Sequence, residues 1–305
     1  MSRIRLEAGS VPFPGLKLIQ LRGRGGFAEV WEAEDPQGER IAVKFMLSRN
    51  STSSVKEMRI IQAVQTLTHR HLLRIRDVWS IPDYIVVAME LADGSLFDLF
   101  DVYQTEYGTP LPPSLLVGYL RQAASGLDFL NARRHVFDGR PVGFMHCDVK
   151  PSNILLVGEV IKLADFGLST PMVALQSTYG RAGTPDFAAP EVHRGLLSIS
   201  SDQYSLAVSY YLLRTGYFPF PPPPGDFKRS YSYHRPAPDL TRVSRGERRV
   251  LERALELEPA GRYPSCTAFM NALTDALSGP DGAAMDTSTE VRVPTIILRA
   301  GSHHG

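Results

Sequence analysis

The sequence predicts an α+β protein in which a small strand-rich lobe precedes a larger, mostly helical lobe. Up to Glu90 the chain consists mainly of short apolar runs separated by turn residues, the pattern of strands. Beyond Glu90, apolar residues recur at helical spacing. Hydrophobic residues make up 43% and charged residues 21% of the 305 positions, ordinary values for a globular protein. A chain of this length can therefore bury a sizeable core.

The strand-rich lobe is predicted at residues 16–91, after an N-terminal extension at residues 1–15. Turn residues at 35–38 separate two of its apolar runs. Apolar side chains at helical spacing from Val55 to Leu67 predict one helix over residues 53–67. The predicted strands lie at residues 17–21, 28–33, 40–46, 75–80 and 84–90.

The helical lobe is predicted at residues 92–277, and a flexible tail at residues 278–305. A stripe of leucines predicts a long amphipathic helix over residues 114–135. Five prolines at residues 218–224 predict an irregular surface loop. Further helices are predicted at residues 201–214, 247–256 and 265–277, and two short strands at residues 154–157 and 160–164.

Charge and cysteine content exclude several classes of protein. The 33 basic and 32 acidic residues give a net charge of +1, so no global field attracts nucleic acid or an anionic membrane. Two cysteines do not make a disulfide framework and favour a reducing compartment. The N-terminus has no apolar core, and the longest apolar stretch, residues 84–89, falls short of the roughly 20 residues that span a membrane. We therefore predict a cytoplasmic protein with no nucleic-acid partner and no membrane segment.

A glycine-rich segment, residues 23–28 (Gly-Arg-Gly-Gly-Phe-Ala), lies between two predicted strands. Glycines allow backbone N–H groups to approach phosphate closely, although an ordinary hairpin turn has the same pattern. A dinucleotide-binding loop would continue into a helix, whereas residues 29–33 are typical of a strand. The segment is therefore a candidate phosphate loop outside a dinucleotide fold.

Lys44 interrupts an otherwise apolar strand. A buried lysine is costly unless an anion pairs with it. Glu57 on the predicted helix is the candidate partner, and Glu29 and Glu32 are the neighbouring alternatives. An edge lysine with its head group in water is the other interpretation.

Two polar motifs flank the predicted strand pair at residues 154–164. Residues 146–153 (His-Cys-Asp-Val-Lys-Pro-Ser-Asn) precede it, and residues 164–167 (Ala-Asp-Phe-Gly) end it. A hairpin would bring Asn153 and Asp165 together. Their oxygens suit Mg²⁺, which takes one or two protein groups together with substrate phosphates. Taken singly, each aspartate also fits a turn cap.

In this order, the motifs resemble those of the eukaryotic-like (Hanks-type) protein kinases over residues 16–277. The resemblance implies a two-lobed protein-kinase-like fold with ATP in the cleft. It implies that Lys44 holds the α- and β-phosphates and pairs with Glu57. The residues that it places around the nucleotide are Gly23, Gly25, Gly26, Val30, Ala42, Lys44, Met89, Glu90, Ala92 and Leu155.

The same resemblance assigns the chemistry. Asp148 would accept the proton of the substrate hydroxyl, and Lys150 would add positive charge. Asn153 and Asp165 would hold Mg²⁺, for which Mn²⁺ is a substitute. The motif Asp148-Val149-Lys150, together with Thr184, resembles the serine/threonine group. The segment at residues 147–156 (Cys-Asp-Val-Lys-Pro-Ser-Asn-Ile-Leu-Leu) resembles bacterial members of the family.

Further segments follow in the same order. Residues 183–191 resemble the end of an activation segment, Asp202 the aspartate that braces the catalytic loop, and Arg262 the arginine that pairs with Glu191. Cys147 stands where many of these kinases have an arginine that contacts a phosphorylated loop residue. We therefore expect an activity that does not depend strongly on activation-loop phosphorylation. Ala28 replaces the third loop glycine, and we expect only a modest effect on nucleotide affinity.

The predicted function is an ATP-dependent serine/threonine kinase that acts on protein substrates. A pseudokinase that serves as an ATP-binding scaffold is one alternative, and a phosphotransferase for small molecules is another. The first would lack the charged residues found here, and the second usually lacks a segment like residues 183–191. The loop at residues 218–224 and the tail, through residues 294–298, are candidate partner contacts.

Overall fold

The computed structural model describes residues 6–48, 51–172, 177–178, 183–221 and 235–279, apart from the side chains of residues 51–53 and 177–178. Its described residues form two compact units. The first contains the chain up to Thr68 together with Leu72–Asp93, and the second contains His69–His71 and the chain from Gly94 onward.

An antiparallel sheet of five strands, in the order β1-β2-β3-β5-β4, forms the first unit. The register places Lys44 opposite Val30 and Val87. One face carries the main core, in which Leu18, Val43, Phe45 and Val86 are fully buried. Each predicted strand is confirmed, and most are one to three residues longer than the apolar runs. The strands are β1 (Lys17–Arg24), β2 (Ala28–Glu34), β3 (Arg40–Leu47), β4 (Ile75–Ile81) and β5 (Tyr84–Glu90).

One helix, α1 (Ser51–Gln65), packs on this sheet. It begins two residues before the predicted start, and the backbone N–H of Leu67 donates to the Val64 carbonyl as the chain leaves the helix. Ile61 belongs to a second apolar cluster, in which it joins Ile85 and Val87 of the sheet. Val55 falls on the same helical stripe but is exposed. Periodicity therefore predicted the helix but wrongly placed Val55 on its buried face.

Helices dominate the second unit. The predicted stripe on α3 is buried, and α5 is buried almost all round because its neighbours cover every side. A capping box formed by Ser244 and Glu247 starts α6 two residues before the predicted first residue. The helices are α2 (Leu96–Val102), α3 (Pro113–Asn131), α4 (Pro190–His193), α5 (Ser201–Thr215), α6 (Arg245–Ala254) and α7 (Cys266–Ser278), of which the sequence analysis missed α2 and α4.

A hairpin replaces the predicted C-terminal end of α3. The helix ends at Asn131, and a two-residue turn at Asp138 and Gly139, both at positive φ, joins the next two strands. The prediction that α3 extends to residue 135 is therefore wrong. The Asp-Gly pair between apolar residues is a hairpin signal, and it outweighs the helical spacing. The five short strands that begin with this hairpin are β7 (His135–Phe137), β8 (Arg140–Met145), β9 (Ile154–Val157), β10 (Val160–Leu163) and β11 (Thr170–Met172), numbered after β6 (Gly94–Ser95).

Two small sheets position the polar motifs of the second unit. β9 and β10 form the predicted hairpin, and β6 adds to β9. In the other sheet β11 pairs with β8, so the chain after residue 167 returns to the strand that precedes residue 146. A further short pair joins β12 (Ser177–Thr178) to β13 (Leu196–Leu197).

Parts of three predictions fall outside the described residues. These parts are residues 1–5 of the N-terminal extension, residues 222–224 of the proline loop and the tail from residue 280 on, including residues 294–298. The four predicted segment limits and the two partner contacts remain predictions. Within the described ranges, no helix combines the length and the apolar character needed to cross a membrane.

Two glycines of α3 give a matched test of packing. A β-carbon at Gly126 would lie 2.9 Å from the His71 carbonyl oxygen and 2.9 Å from Leu163 Cδ1, whereas nothing lies within 4 Å of one at Gly118. We expect Gly126→Ala to lower the free energy of unfolding by about 1–3 kcal/mol. Gly118→Ala should raise it by about 0.5–1 kcal/mol through helix propensity. Urea unfolding measures both, and equal stabilities would contradict the close approach at Gly126.

Candidate active site

A buried carboxylate holds the beginning of the loop at residues 146–153. Asp202, 1% exposed in α5, accepts hydrogen bonds from the backbone N–H groups of His146 at 2.8 Å and Cys147 at 3.0 Å. Cys147 has φ of 68°, which is uncommon for a residue with a side chain. Burial raises the pKa of Asp202, against the opposing effects of His146 and the two amide donors. Asp202 thus braces the loop, as the resemblance implies.

Asp148 is the centre of a hydrogen-bonded cluster. Its Oδ2 atom lies 2.9 Å from Lys150 Nζ and accepts a 2.9 Å bond from Asn153 Nδ2. Its Oδ1 atom accepts from both the backbone N–H and the hydroxyl of Thr184, each at 3.0 Å. Lys150 Nζ also donates to Thr184 Oγ1 at 2.7 Å. Both carboxylate oxygens are therefore fixed in direction, with one cation beside them.

Asn153 and Asp165 come to the same end of the β9–β10 hairpin. The strand pair ends with Leu163 opposite Ile154, and the backbone N–H of Ala164 donates to the Asn153 carbonyl at 2.9 Å. The predicted proximity of the two motifs is therefore found. An amide oxygen and a carboxylate are hard donors, which fits a divalent cation that completes its coordination with phosphate and water.

The segment after Asp165 is tied to the loop that carries Asp148. His146 Nε2 lies 2.9 Å from the Ala164 carbonyl oxygen, and its ring packs on buried Phe166 with centroids 5.4 Å apart. Asp165 itself has φ of 67°. The two motifs therefore pack directly against each other rather than forming two independent turns.

Residues 183–191 approach the same loop closely. Gly183 has φ of 96°, and a β-carbon there would lie 2.7 Å from the Cys147 carbonyl oxygen, so only glycine fits. Glu191 forms a two-point pair with Arg262, with both bonds at 2.8 Å and each residue 3% exposed. Burial alone would raise the pKa of Glu191, but the hydrogen bonds and charge of Arg262 outweigh burial and lower it.

Arg235 is the residue of this region that the sequence analysis missed. Its Nη2 atom lies within 3.0 Å of three carbonyl oxygens between Pro185 and Ala188. No motif marks this position, because the arginine stands in an aperiodic stretch and its partners lie about fifty positions earlier in the sequence. Only the folded chain shows it.

The first unit contains the predicted lysine and the glycine-rich turn. Lys44 lies in the centre of β3, and Glu57 is half-buried in α1. The turn between β1 and β2 is closed by a 2.8 Å bond from Gly25 N–H to the Ala28 carbonyl, and β2 follows it instead of a helix. This excludes the dinucleotide loop, whereas a phosphate loop and a plain hairpin share the observed geometry.

The neighbouring acidic residues are engaged elsewhere. Glu29 accepts a bond from Trp31 Nε1, and Glu32 pairs with Arg22 and Arg40. The pairing of Lys44 with Glu57 stays a prediction of the resemblance. The nucleotide residues predicted from the resemblance lie in β1, β2, β3, the turn between the first two, the end of β5 and the chain after it, and β9.

Comparisons with known proteins agree with the fold. Residues 16–272 match the family described as the protein kinase domain. This chain therefore belongs to the protein kinase family, which confirms the resemblance and the predicted fold class. Membership implies the use of ATP and a divalent metal ion.

Named bacterial relatives point in the same direction. The chain is 32% identical to the serine/threonine-protein kinase PknD of Mycobacterium tuberculosis, over 95% of this chain and 42% of that protein. It is 30% identical to the serine/threonine-protein kinase Pkn1 of Myxococcus xanthus, over 86% of this chain and 38% of that protein. The serine/threonine-protein kinase PknF of M. tuberculosis is 29% identical, over 95% of this chain and 62% of that protein. The chain thus spans between 38% and 62% of the length of these relatives.

The buried pair of Glu191 and Arg262 predicts a pH-dependent loss of stability. In Arg262→Met the carboxylate is left buried without its cation, so the free energy of unfolding at pH 7 should fall by about 3–5 kcal/mol. Because the pKa of Glu191 is lowered in the folded protein, its stabilising effect is present above its ordinary value of 4.5 and is lost as the pH falls through the folded-state pKa.

Urea unfolding between pH 7 and pH 3 tests this pair. The unfolded chains titrate alike, so the difference between wild type and Arg262→Met depends only on the two folded states. It should shrink as the pH falls from the Glu191 pKa of the variant, which burial raises, to the lowered Glu191 pKa of the wild type. The control Glu191→Gln/Arg262→Met carries no buried charge and should recover part of the stability at pH 7. A difference independent of pH would show that the arginine acts through packing alone.

Proposed function

We propose that this chain is the catalytic domain of an ATP-dependent protein kinase that phosphorylates serine and threonine hydroxyls of protein substrates. The observation that carries the proposal is the Asp148 cluster, in which Lys150, Asn153 and Thr184 fix both oxygens of one carboxylate. The names of the relatives support the same activity. The presence of every charged group that transfer needs argues against a scaffold without chemistry.

Phosphoryl transfer requires alignment and charge neutralisation more than covalent help from the protein. In the proposed mechanism Asp148 orients the substrate hydroxyl and accepts its proton as the oxygen attacks the γ-phosphorus. The bond from the γ-phosphorus to the β–γ bridging oxygen breaks, and ADP leaves. Lys150 lies between Asp148 and Thr184 and keeps 24% of its side chain exposed, so its ammonium group can turn toward the transferred phosphoryl oxygens. The fixed direction of the carboxylate reduces the reorganisation that would accompany the reaction.

The nucleotide and the metal are assigned to further residues. We infer that Lys44, paired with Glu57, binds the α- and β-phosphates. Asn153 and Asp165 would hold Mg²⁺, with Mn²⁺ as a substitute, and the bound cation neutralises phosphate charge. The residues proposed to surround the nucleotide are Gly23, Gly25, Gly26, Val30, Ala42, Met89, Glu90, Ala92 and Leu155.

We further propose that activity does not depend strongly on phosphorylation of the activation loop, and that the domain acts in the cytoplasm. Cys147 carries no charge for a phosphate, and its thiol donates to the Met145 carbonyl at 3.4 Å. Thr184 already holds the end of the segment against Asp148 without a phosphate. The two cysteines are free thiols, which supports a reducing compartment.

Asp148→Asn provides the direct test of the function. Asparagine keeps the shape but removes the base, so phosphate transfer should fall by about 10²–10⁴-fold while nucleotide binding persists. Labelled ATP with Mg²⁺ and a generic basic protein reports transfer, and fluorescent nucleotide titration reports binding. Asp101→Asn, an exposed position of α2, is the matched control and should retain wild-type activity.

The fate of the label separates this function from the alternatives. Label on serine or threonine of a protein supports the kinase. Label confined to small molecules would support a small-molecule phosphotransferase, and wild-type protein that binds nucleotide without transferring phosphate would support a scaffold. Replacement of Mg²⁺ by Mn²⁺ or by chelator identifies the metal requirement.

A quadruple variant tests independence from loop phosphorylation. Ser169, Thr170, Ser177 and Thr178 are the hydroxyl residues after Asp165 to replace by alanine. Because Ser169 is buried and the segment end is held by Thr184, we expect the variant to keep kcat/KM within about threefold of wild type, a change of less than 1 kcal/mol. Loss of nearly all activity in the same transfer assay would overturn the proposal.

A further inference from the structure

A buried arginine holds the turn that follows Thr184. Arg235 is 5% exposed, and its Nη2 atom donates to the carbonyl oxygens of Pro185 at 2.8 Å, Asp186 at 3.0 Å and Ala188 at 2.8 Å. The turn itself is closed by a bond from the Phe187 N–H to the Thr184 carbonyl at 3.1 Å. The three carbonyl oxygens carry partial negative charge and lie around one nitrogen atom, so the positively charged guanidinium group can bond to all of them.

The surroundings of Arg235 hold the guanidinium group in one orientation. It lies over the Phe220 ring at 4.6 Å, and Phe220 stacks on Tyr204 with an interplanar angle of 6°. The Nη2 atom also lies 3.3 Å from His193 Nε2, and because arginine has no acceptor, a hydrogen bond between them would require the lone pair of the imidazole to be at Nε2. The aromatic face and the imidazole thus fix the donor that reaches the turn.

Stability alone is a poor explanation for this arrangement. Among the described residues the recorded partners of Arg235 include no carboxylate, and its Nε atom is buried without a hydrogen-bond partner. Burying a cation without an anion costs free energy. Arg262 shows the contrast, because its buried guanidinium group meets the carboxylate of Glu191. The contacts of Arg235 instead fix the backbone of residues 185–188.

That backbone lies next to the proposed catalytic base. The N–H and hydroxyl of Thr184 both bond to Asp148, so the turn begins one residue away from the carboxylate. Because the turn begins beside Asp148, we expect the residues that flank a bound phosphoacceptor to lie next to it. Phe218, 40% exposed and in edge contact with Phe187, adds an apolar surface beside it.

We propose that Arg235 is a positioning residue for the protein substrate, which sets the geometry of residues 185–188 against which the residues flanking the phosphoacceptor bind. This inference rests on the proposed kinase activity. Arg235 does not contact the reacting atoms. Its loss should therefore weaken binding of the polypeptide and blur the choice of flanking residues, while the nucleotide site works as before.

Arg235→Met tests the role, since methionine has a similar length and can still pack on Phe220. With a serine/threonine peptide library and a single peptide chosen from it, we expect the KM for peptide to rise about tenfold, the loss of about one charge-assisted hydrogen bond. The KM for ATP should stay within about twofold. The selectivity at the positions flanking the acceptor should flatten.

Arg235→Lys and Arg242→Met are the matched variants. Lysine keeps the charge and can reach fewer of the carbonyl groups, so its KM for peptide should be intermediate. Arg242 is an exposed arginine whose guanidinium group lies 3.8 Å from the centre of the Tyr217 ring, and its replacement by methionine should leave all constants at wild-type values. If Arg235→Met fails to fold, the lysine variant allows the same comparison.

The kinetic split distinguishes the outcomes. A fall in kcat with unchanged KM for peptide and unchanged flanking selectivity would show that Arg235 only maintains the folded fraction, and would overturn the proposal. Faster hydrogen exchange at the amides of residues 186–188 in Arg235→Met, but not in Arg242→Met, is expected in addition. Wild-type protein that phosphorylates no peptide would instead reject the kinase activity itself, a failure visible before any variant is compared.

Discussion

The arrangement of the second unit depends on one buried carboxylate. Asp202 accepts hydrogen bonds from the backbone N–H groups of His146 and Cys147, and it lies in a helix that is buried almost all round. Burial makes a carboxylate without donors costly, and the left-handed backbone at Cys147 adds a smaller cost of about 1–3 kcal/mol. Each therefore compensates for the other, and the loop that leaves this junction projects Asp148 in one direction.

A series of contacts that begins at Asp148 fixes the segment at residues 183–191. Thr184 bonds to its carboxylate, Arg235 holds the next turn by its carbonyl groups, and Arg262 holds Glu191 at the start of α4. The segment from residue 183 to residue 191 is thus fixed at three successive points by partners that are distant in sequence. The first point is the bond between the Thr184 hydroxyl and the Asp148 carboxylate, and the last is the ion pair of Glu191 and Arg262. Between them, the Arg235 cation contacts uncharged carbonyl groups. Fixing the segment in this way costs conformational entropy, which the buried contacts offset.

Much of this was visible in the linear sequence. Alternating and continuous apolar runs gave the five strands of the first sheet, and the spacing of leucines gave the buried stripe of α3. Asn153 and Asp165 flank a short hairpin, so their proximity follows from local geometry alone. The hairpin at Asp138 and Gly139 was missed because helical spacing continued into it, although the turn residues themselves carried the signal.

By itself the sequence determined the class of fold and the chemically active side chains, because strand pairs, turns and motif spacing are local properties of the chain. Tertiary structure alone decided which groups compensate one another at long range. Arg235 has no local pattern, since its partners are carbonyl groups that every residue possesses. The exposure of Val55 and the close contact at Gly126 likewise depend on which surface packs against each helix. Such contacts arise only when the whole chain is folded, because burial and backbone direction are properties of the assembled core.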